Sequence, residues 1–171
     1  MCLPFRVVFV CSGNTCRSPM AAALFQERLK EHASLRDGEV EVASAGLDAH
    51  EGEPAADGAV RALRSVNLSL EGHTATRFGE KHMDFDLILT MTEAHKTRIL
   101  MAYPEVAAKV YTLKEYAGVD GSRDIADPFL QGDDVYLATM REIDEAVTKA
   151  AARLAAALAG RDNPKRGDSS P

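Results

Sequence analysis

"VFVCSGNTCRSPMAAALF", Val8 to Phe25, carries the information that decides the fold. Arg6 to Val10 is a valine-rich run bounded by Pro4 and Gly13, the signature of a strand buried on both faces of a parallel sheet. After the Ser18-Pro19 step, Ala21, Leu24, Phe25 and Leu29 recur at helical spacing. Proline suits a first helical position because its missing N–H has no partner there. The order is strand, loop, helix.

Working outward, the pattern repeats. "EVEVAS" (Glu39 to Ser44) alternates as a strand, and Val60 and Leu63 mark a helix opening near Pro54. "FDLILT" (Phe85 to Thr90) is an apolar strand, and the helix that follows ends before Pro104. "AKVYTL" (Ala108 to Leu113) predicts a fourth strand. Met140, Ile143, Val147, Ala151, Leu154 and Leu158 trace a long helical stripe stopped by Gly160. Strands alternating with helices predict an α/β fold: a four-stranded parallel sheet, doubly wound and flavodoxin-like, with the first loop outside the carboxyl ends of the strands, where such sheets bind ligands. Residues 1–160 form one expected domain, and 161–171 a disordered polar tail. Lys114 to Asp134 shows no periodicity and reads as a long functional loop.

The charge balance excludes some partners. With 20 Lys and Arg against 26 Asp and Glu, the net charge is −6, which argues against nucleic acid or an anionic membrane as partner and leaves any anion site local. No apolar run approaches a membrane span. Three cysteines near the N-terminus are too few for a disulfide scaffold, so a reducing cytoplasm and a monomer are expected.

A turn with Cys at its start and Arg-Ser at the base of a helix can aim successive backbone N–H groups at a tetrahedral oxyanion, helped by the helix N-terminus. Arg17 would add a two-pronged donor. The same positive field favours the thiolate of Cys11, making it a nucleophile able to attack phosphorus. A zinc site is the weaker reading, because Cys11 and Cys16 lack a second ligand pair and His32, His50, His73, His82 and His95 are scattered.

Cys-x5-Arg-Ser after the first strand, in the fuller form "VCSGNTCRSPMA", resembles the phosphate loop of the low molecular weight protein tyrosine phosphatases. The resemblance implies a downstream Asp-Pro bearing the general acid, and "ADPF" lies at Ala126 to Phe129. It covers roughly residues 5 to 158 and implies the same four-stranded fold. By that resemblance Cys11 forms a cysteinyl-phosphate and Arg17 binds the phosphate. Asp127, rather than its neighbour Asp124, protonates the leaving atom and then activates water. The loop Ser12, Gly13, Asn14, Thr15, Cys16, Arg17, Ser18 holds the phosphate, and Asn14, Ser18, Ser44 and His73 support it. No metal or cofactor is implied. The partner would be a phosphorylated protein, with inorganic phosphate as product. Cys16 is either a packing residue or a guard able to form a disulfide with Cys11.

Thr15 looks like the arginine phosphatase branch of the family, whose tyrosine-directed members commonly carry a bulky aliphatic residue there. Phosphoarginine is therefore favoured, with phosphotyrosine the alternative. Phe129, Leu130 and His50 form the expected rim. Leu130 stands where the arginine branch commonly has glycine, and where tyrosine-directed members place a second aromatic. An arsenate reductase would need cysteines after Cys16, and none exists. A phosphoryl carrier would need its phosphocysteine preserved, which Asp127 opposes. A non-enzymatic phosphate-binding module would not need the reactive thiolate.

Overall fold

The computed structural model describes residues 3–161. Four strands, β1 (Phe5–Cys11), β2 (Val40–Gly46), β3 (Leu87–Thr90) and β4 (Val110–Thr112), form one sheet in the order β2-β1-β3-β4. Every adjacent pair is parallel. Five α-helices accompany them: α1 (Arg17–Leu29), α2 (Asp57–Arg64), α3 (Glu93–Ala102), α4 (Leu113–Ala117) and α5 (Asp133–Arg161). This is the expected doubly wound α/β architecture.

The continuous apolar run of β1 is explained by its two covered faces. Val7, Phe9 and Cys11 point into a core shared with α1, α2, α4 and α5, while Val8 and Val10 point into a second core with Ile99 of α3, Phe78 and Phe85. Phe9 meets Phe25 of α1 edge to face at 5.2 Å. Burying side chains of this size stabilises the fold by about 1.5–3 kcal/mol each. On the outer side, Arg28 clasps Asp144 with two hydrogen bonds of 2.8 and 2.7 Å, tying α1 to α5.

Several boundaries differ from expectation, three of them for a clear local reason. α1 starts at Arg17, so Pro19 stands at its third position; N–H groups there have no intrahelical acceptor, and proline loses nothing. α2 starts at Asp57 rather than near Pro54, because Pro54 bridges Thr74 and the Ala56 N–H is given to the Thr15 carbonyl at 2.9 Å. The expected loop from Lys114 is helical at its start. Thr112 and Glu115 cap α4 reciprocally, at 3.0 and 3.1 Å, and Gly118 ends it at φ 68°. The irregular segment is thus 118–132. α5 continues through Gly160 to Arg161, and the rest of the expected tail lies outside the described residues. Among the described residues no helix is long and apolar enough to cross a membrane.

Candidate active site

β1 ends at Cys11 and α1 begins at Arg17, so the whole connecting loop sits at the carboxyl edge of the sheet. It is braced from beneath by one side chain. Asn14 adopts a left-handed backbone, φ 56°, and each polar group of its side chain is engaged. Its Nδ2 donates to Ser18 Oγ at 2.8 Å and Ser44 Oγ at 2.9 Å, and its Oδ1 accepts from Thr76 N at 2.9 Å. His73 lies with Nε2 2.8 Å from the Asn14 carbonyl, so that nitrogen carries the proton. The four expected supports, Asn14, Ser18, Ser44 and His73, therefore form one connected network.

The network reaches the nucleophile. Ser18 Oγ is 2.9 Å from Cys11 Sγ and the Asn14 N–H is 3.3 Å from it, and Cys11 is buried. Asn14 Nδ2 fills an acceptor site on Ser18, and the serine hydroxyl has two acceptors in reach, Cys11 Sγ at 2.9 Å and the Ala45 carbonyl at 3.3 Å. Ser18 and the loop backbone at Asn14 thus converge on one sulfur.

Arg17 is almost wholly buried at the first position of α1 and is held from the other side of the cleft. It donates to the Ile125 carbonyl at 2.9 Å and lies 3.2 Å from Asp127 Oδ2. Ile125 is fully buried, and its own N–H bonds the Met91 carbonyl at 2.9 Å, which anchors segment 118–132 at the end of β3. Asp127 is half exposed at the rim, its Oδ1 accepting from Phe129 N at 3.1 Å. Asp124 is otherwise employed, accepting from Glu93 N at the start of α3, and lies outside the cleft wall. The geometry separates the two candidate acids.

Cys11, Ser12, Gly13, Thr15, Cys16 and Arg17 open into a cleft of about 650 Å³ that His50, Asp127 and Phe129 also line. Asn14 and Ser18 are fully buried below it, so their side chains serve the loop rather than the cleft. Leu130 is outside the wall, 84% exposed, in a turn closed by Gln131 N and Pro128 O at 2.9 Å. Its φ of 61° occupies the third turn position, where glycine is favoured. Cys16 Sγ lies 3.3 Å from Tyr136 Oη, and burial pushes its thiol up, which keeps Cys16 protonated beside Cys11. Among the described residues no group of three His, Cys, Asp or Glu could hold a metal ion.

Three contributors escaped the sequence reading. Gly46, paired with Cys11 in the β1–β2 register, lies against the loop backbone: a Cβ there would stand 2.5 Å from the Ser12 carbonyl oxygen. Gly58 faces the Tyr136 ring, which a Cβ would meet at 2.4 Å, and so lets that tyrosine reach Cys16. His95 of α3 approaches Ser12 Oγ at 2.9 Å from below. Only the "AG" after Ser44 was a local signal; the others depend on tertiary contacts.

A family model described as low molecular weight phosphotyrosine protein phosphatase matches residues 6–159. The protein-arginine-phosphatase of Geobacillus stearothermophilus is 38% identical over 154 residues, covering 89% of this chain and 97% of that one. The low molecular weight protein-tyrosine-phosphatase PtpB of Staphylococcus haemolyticus is 36% identical over 138 residues, covering 81% and 91%. A solved structure of the YwlE arginine phosphatase, a cysteine-to-serine mutant with a phosphorylated active-site serine, superposes with a TM-score of 0.80. It is 36% identical and covers 87% of this chain and 95% of that one. With the family model spanning nearly the whole described chain, and the loop, buried arginine and rim aspartate in one cleft, this chain belongs to the low molecular weight phosphotyrosine protein phosphatase family and is an enzyme of that class.

Proposed function

We propose that the chain removes phosphoryl groups from protein side chains through a phosphorylated Cys11, and that phosphoarginine is its preferred substrate. The observation that carries the mechanism is the convergence of Ser18 Oγ and Asn14 N on Cys11 Sγ, in the cleft that Arg17 and Asp127 also line. The Cys11 thiolate attacks phosphorus, the S–P bond forms, and the bond from phosphorus to the leaving nitrogen or oxygen breaks. Asp127 gives its proton to the leaving atom, so the side chain departs neutral rather than as an anion. Arg17 and the loop N–H groups hold the equatorial oxygens as charge develops. Water then attacks phosphorus, Asp127 takes its proton, the S–P bond breaks, and inorganic phosphate leaves with the Cys11 thiolate restored. The serine-phosphorylated relative supports an intermediate of this kind.

Thr15 supports the substrate preference. It lines the cleft, and its carbonyl is tied to the Ala56 N–H ahead of α2, so its hydroxyl sits on a fixed wall where a polar guanidine can be matched. Relatives named as arginine phosphatases support the same choice. The Phe129 ring on the cleft wall favours the second reading, phosphotyrosine, as do the tyrosine-directed relatives. Rates on phosphoarginine and phosphotyrosine proteins, for wild type and Thr15→Ile, test the choice. A shift toward phosphotyrosine in the variant supports it; a wild-type preference for phosphotyrosine that the substitution leaves unchanged overturns it. The reading includes a monomer working in the cytoplasm; the free buried thiols of Cys11 and Cys16 support a reducing compartment.

A further inference from the structure

Ser12 follows the nucleophile, lines the cleft, and has one hydrogen-bond partner for its hydroxyl among the described residues: Nε2 of His95, at 2.9 Å. His95 is 5% exposed, third in α3, with its backbone N–H spent on Thr92 Oγ1 at 3.1 Å. Its other ring nitrogen, Nδ1, is buried without a partner. The charged groups around the ring are Arg17 of α1, Arg98 of α3, Asp127 and Asp124 of segment 118–132, and Asp48, which pairs with Arg98. Burial first, then the two arginines, push its pKa down to about 4, so the ring is neutral and carries one proton.

Which nitrogen holds that proton decides what Ser12 can do. With the proton on Nδ1, an N–H donor would be buried without an acceptor, at the positive end of α3 and in a field where Arg17 and Arg98 outweigh Asp127 and Asp124. Nε2 would then accept from Ser12 and consume the serine proton. With the proton on Nε2, the unpartnered group at Nδ1 is a lone pair, which that positive field favours. Nε2–H then donates to Ser12 Oγ, and the serine proton has no acceptor among the described residues.

Resting on the function proposed above, we infer that His95 is a positioning residue: its Nε2–H holds Ser12 Oγ so that the serine hydroxyl donates to an oxygen of the phosphoryl group bound in the loop. Ser12 thereby adds a side-chain donor to the backbone N–H groups and Arg17. Buried ring nitrogens with a single partner set the tautomer of that bond, and a hydroxyl thus relieved of its proton's usual acceptor is preorganised for an anion.

The test uses Ser12→Ala, His95→Leu, His95→Gln and the Ser12→Ala/His95→Leu double variant of the full chain, with inorganic phosphate as probe and aryl phosphate turnover alongside. Ser12→Ala and His95→Leu should each weaken phosphate binding about tenfold, the size of one charge-assisted hydrogen bond. His95→Gln, whose Nε2 can replace the imidazole donor, should recover most of that affinity, and the double variant should be no weaker than Ser12→Ala alone. Nitrogen-15 spectra of wild type should place the proton on Nε2, a readout that does not depend on how the variants fold. Wild-type phosphate affinity in His95→Leu, additive losses in the double variant, or a proton on Nδ1 overturns the inference. Cys11→Ser is the separate control: turnover surviving in it would sink the proposed mechanism, whereas the phosphate affinities test His95 independently of turnover.

Discussion

Gly46 supports Asn14 from the neighbouring strand so closely that a Cβ on it would lie 2.8 Å from the Asn14 nitrogen, closer than real Cβ atoms stand. The next contacts, 2.5 Å to the Ser12 carbonyl oxygen and 2.9 Å to the Gly13 carbonyl carbon, are also to backbone, so no side chain can swing away. Gly46→Ala should therefore push the phosphate loop off its support. We expect a loss of about 1–3 kcal/mol in stability and a fall of at least tenfold in kcat/KM, measured by denaturant unfolding and aryl phosphate hydrolysis. A variant as active as wild type would show that the loop tolerates displacement.

Asp127 and Arg17 lie 3.2 Å apart, but their roles in the reaction differ, and Asp127→Asn separates them. The amide keeps the size of the side chain and cannot release a proton. Turnover should fall by roughly 10²–10⁴-fold, the usual scale for losing a general acid, while phosphate affinity should stay near wild type. If the same residue activates water, as proposed, quenched reactions should show Cys11-phosphate by intact mass. Equal losses in turnover and in phosphate affinity would instead make Asp127 a brace for Arg17.

Acid should destabilise the fold through His95. Its folded pKa is about 4, below the ordinary value of about 6.5, so between these values the unfolded chain binds more protons and stability rises with pH. The penalty is absent above about pH 7, grows as the pH falls through 6.5, and is complete below about 4. Its full size is on the order of 3 kcal/mol. His82, also buried and shifted down, adds in the same direction. Unfolding free energies measured from pH 7 to pH 4 should fall less steeply in His95→Gln than in wild type. Parallel curves would contradict the burial-driven shift.

Leu130 holds a left-handed backbone while its side chain is 84% exposed, so glycine there would relieve strain and forfeit little burial. Left-handed residues with a Cβ cost about 1–2 kcal/mol, and added unfolded-state freedom returns part of that. Leu130→Gly should gain about 0.5–1 kcal/mol, read as a higher melting temperature. A lower one would mean that the leucine side chain, not the turn, stabilises this corner.

The sequence revealed most where the physics is local. The valine-rich run Val7 to Val10 announces a doubly covered strand, and Cys11, Arg17 and Ser18 mark a loop whose geometry follows from a strand entering a helix. Asn14, Ser44 and His73 were legible through resemblance, yet the physical reason for them, a left-handed asparagine engaged on every side, required the structure. α4 was passed over although "TLKE" carries its capping box, because five residues are too short to show a period. His95 and Gly58 gave no signal of their own, and Gly46 only the "AG" after Ser44. Each acts on a residue far away in the chain, and such contacts leave no spacing to read.

The way Ile125 is seated has a consequence for how activity is lost. The fully buried Ile125 side chain helps to dock segment 118–132, and the backbone of the same residue receives a guanidinium hydrogen bond from Arg17. A fluctuation that lifts Ile125 should therefore release Arg17 and displace Asp127, two residues on, in a single event. The thiol end stays intact meanwhile, because its donors, Ser18 and Asn14, belong to the other half of the site. Amide exchange at Ile125, whose N–H is bonded to Met91, thus gives a direct gauge of the fraction of molecules fully armed at any instant.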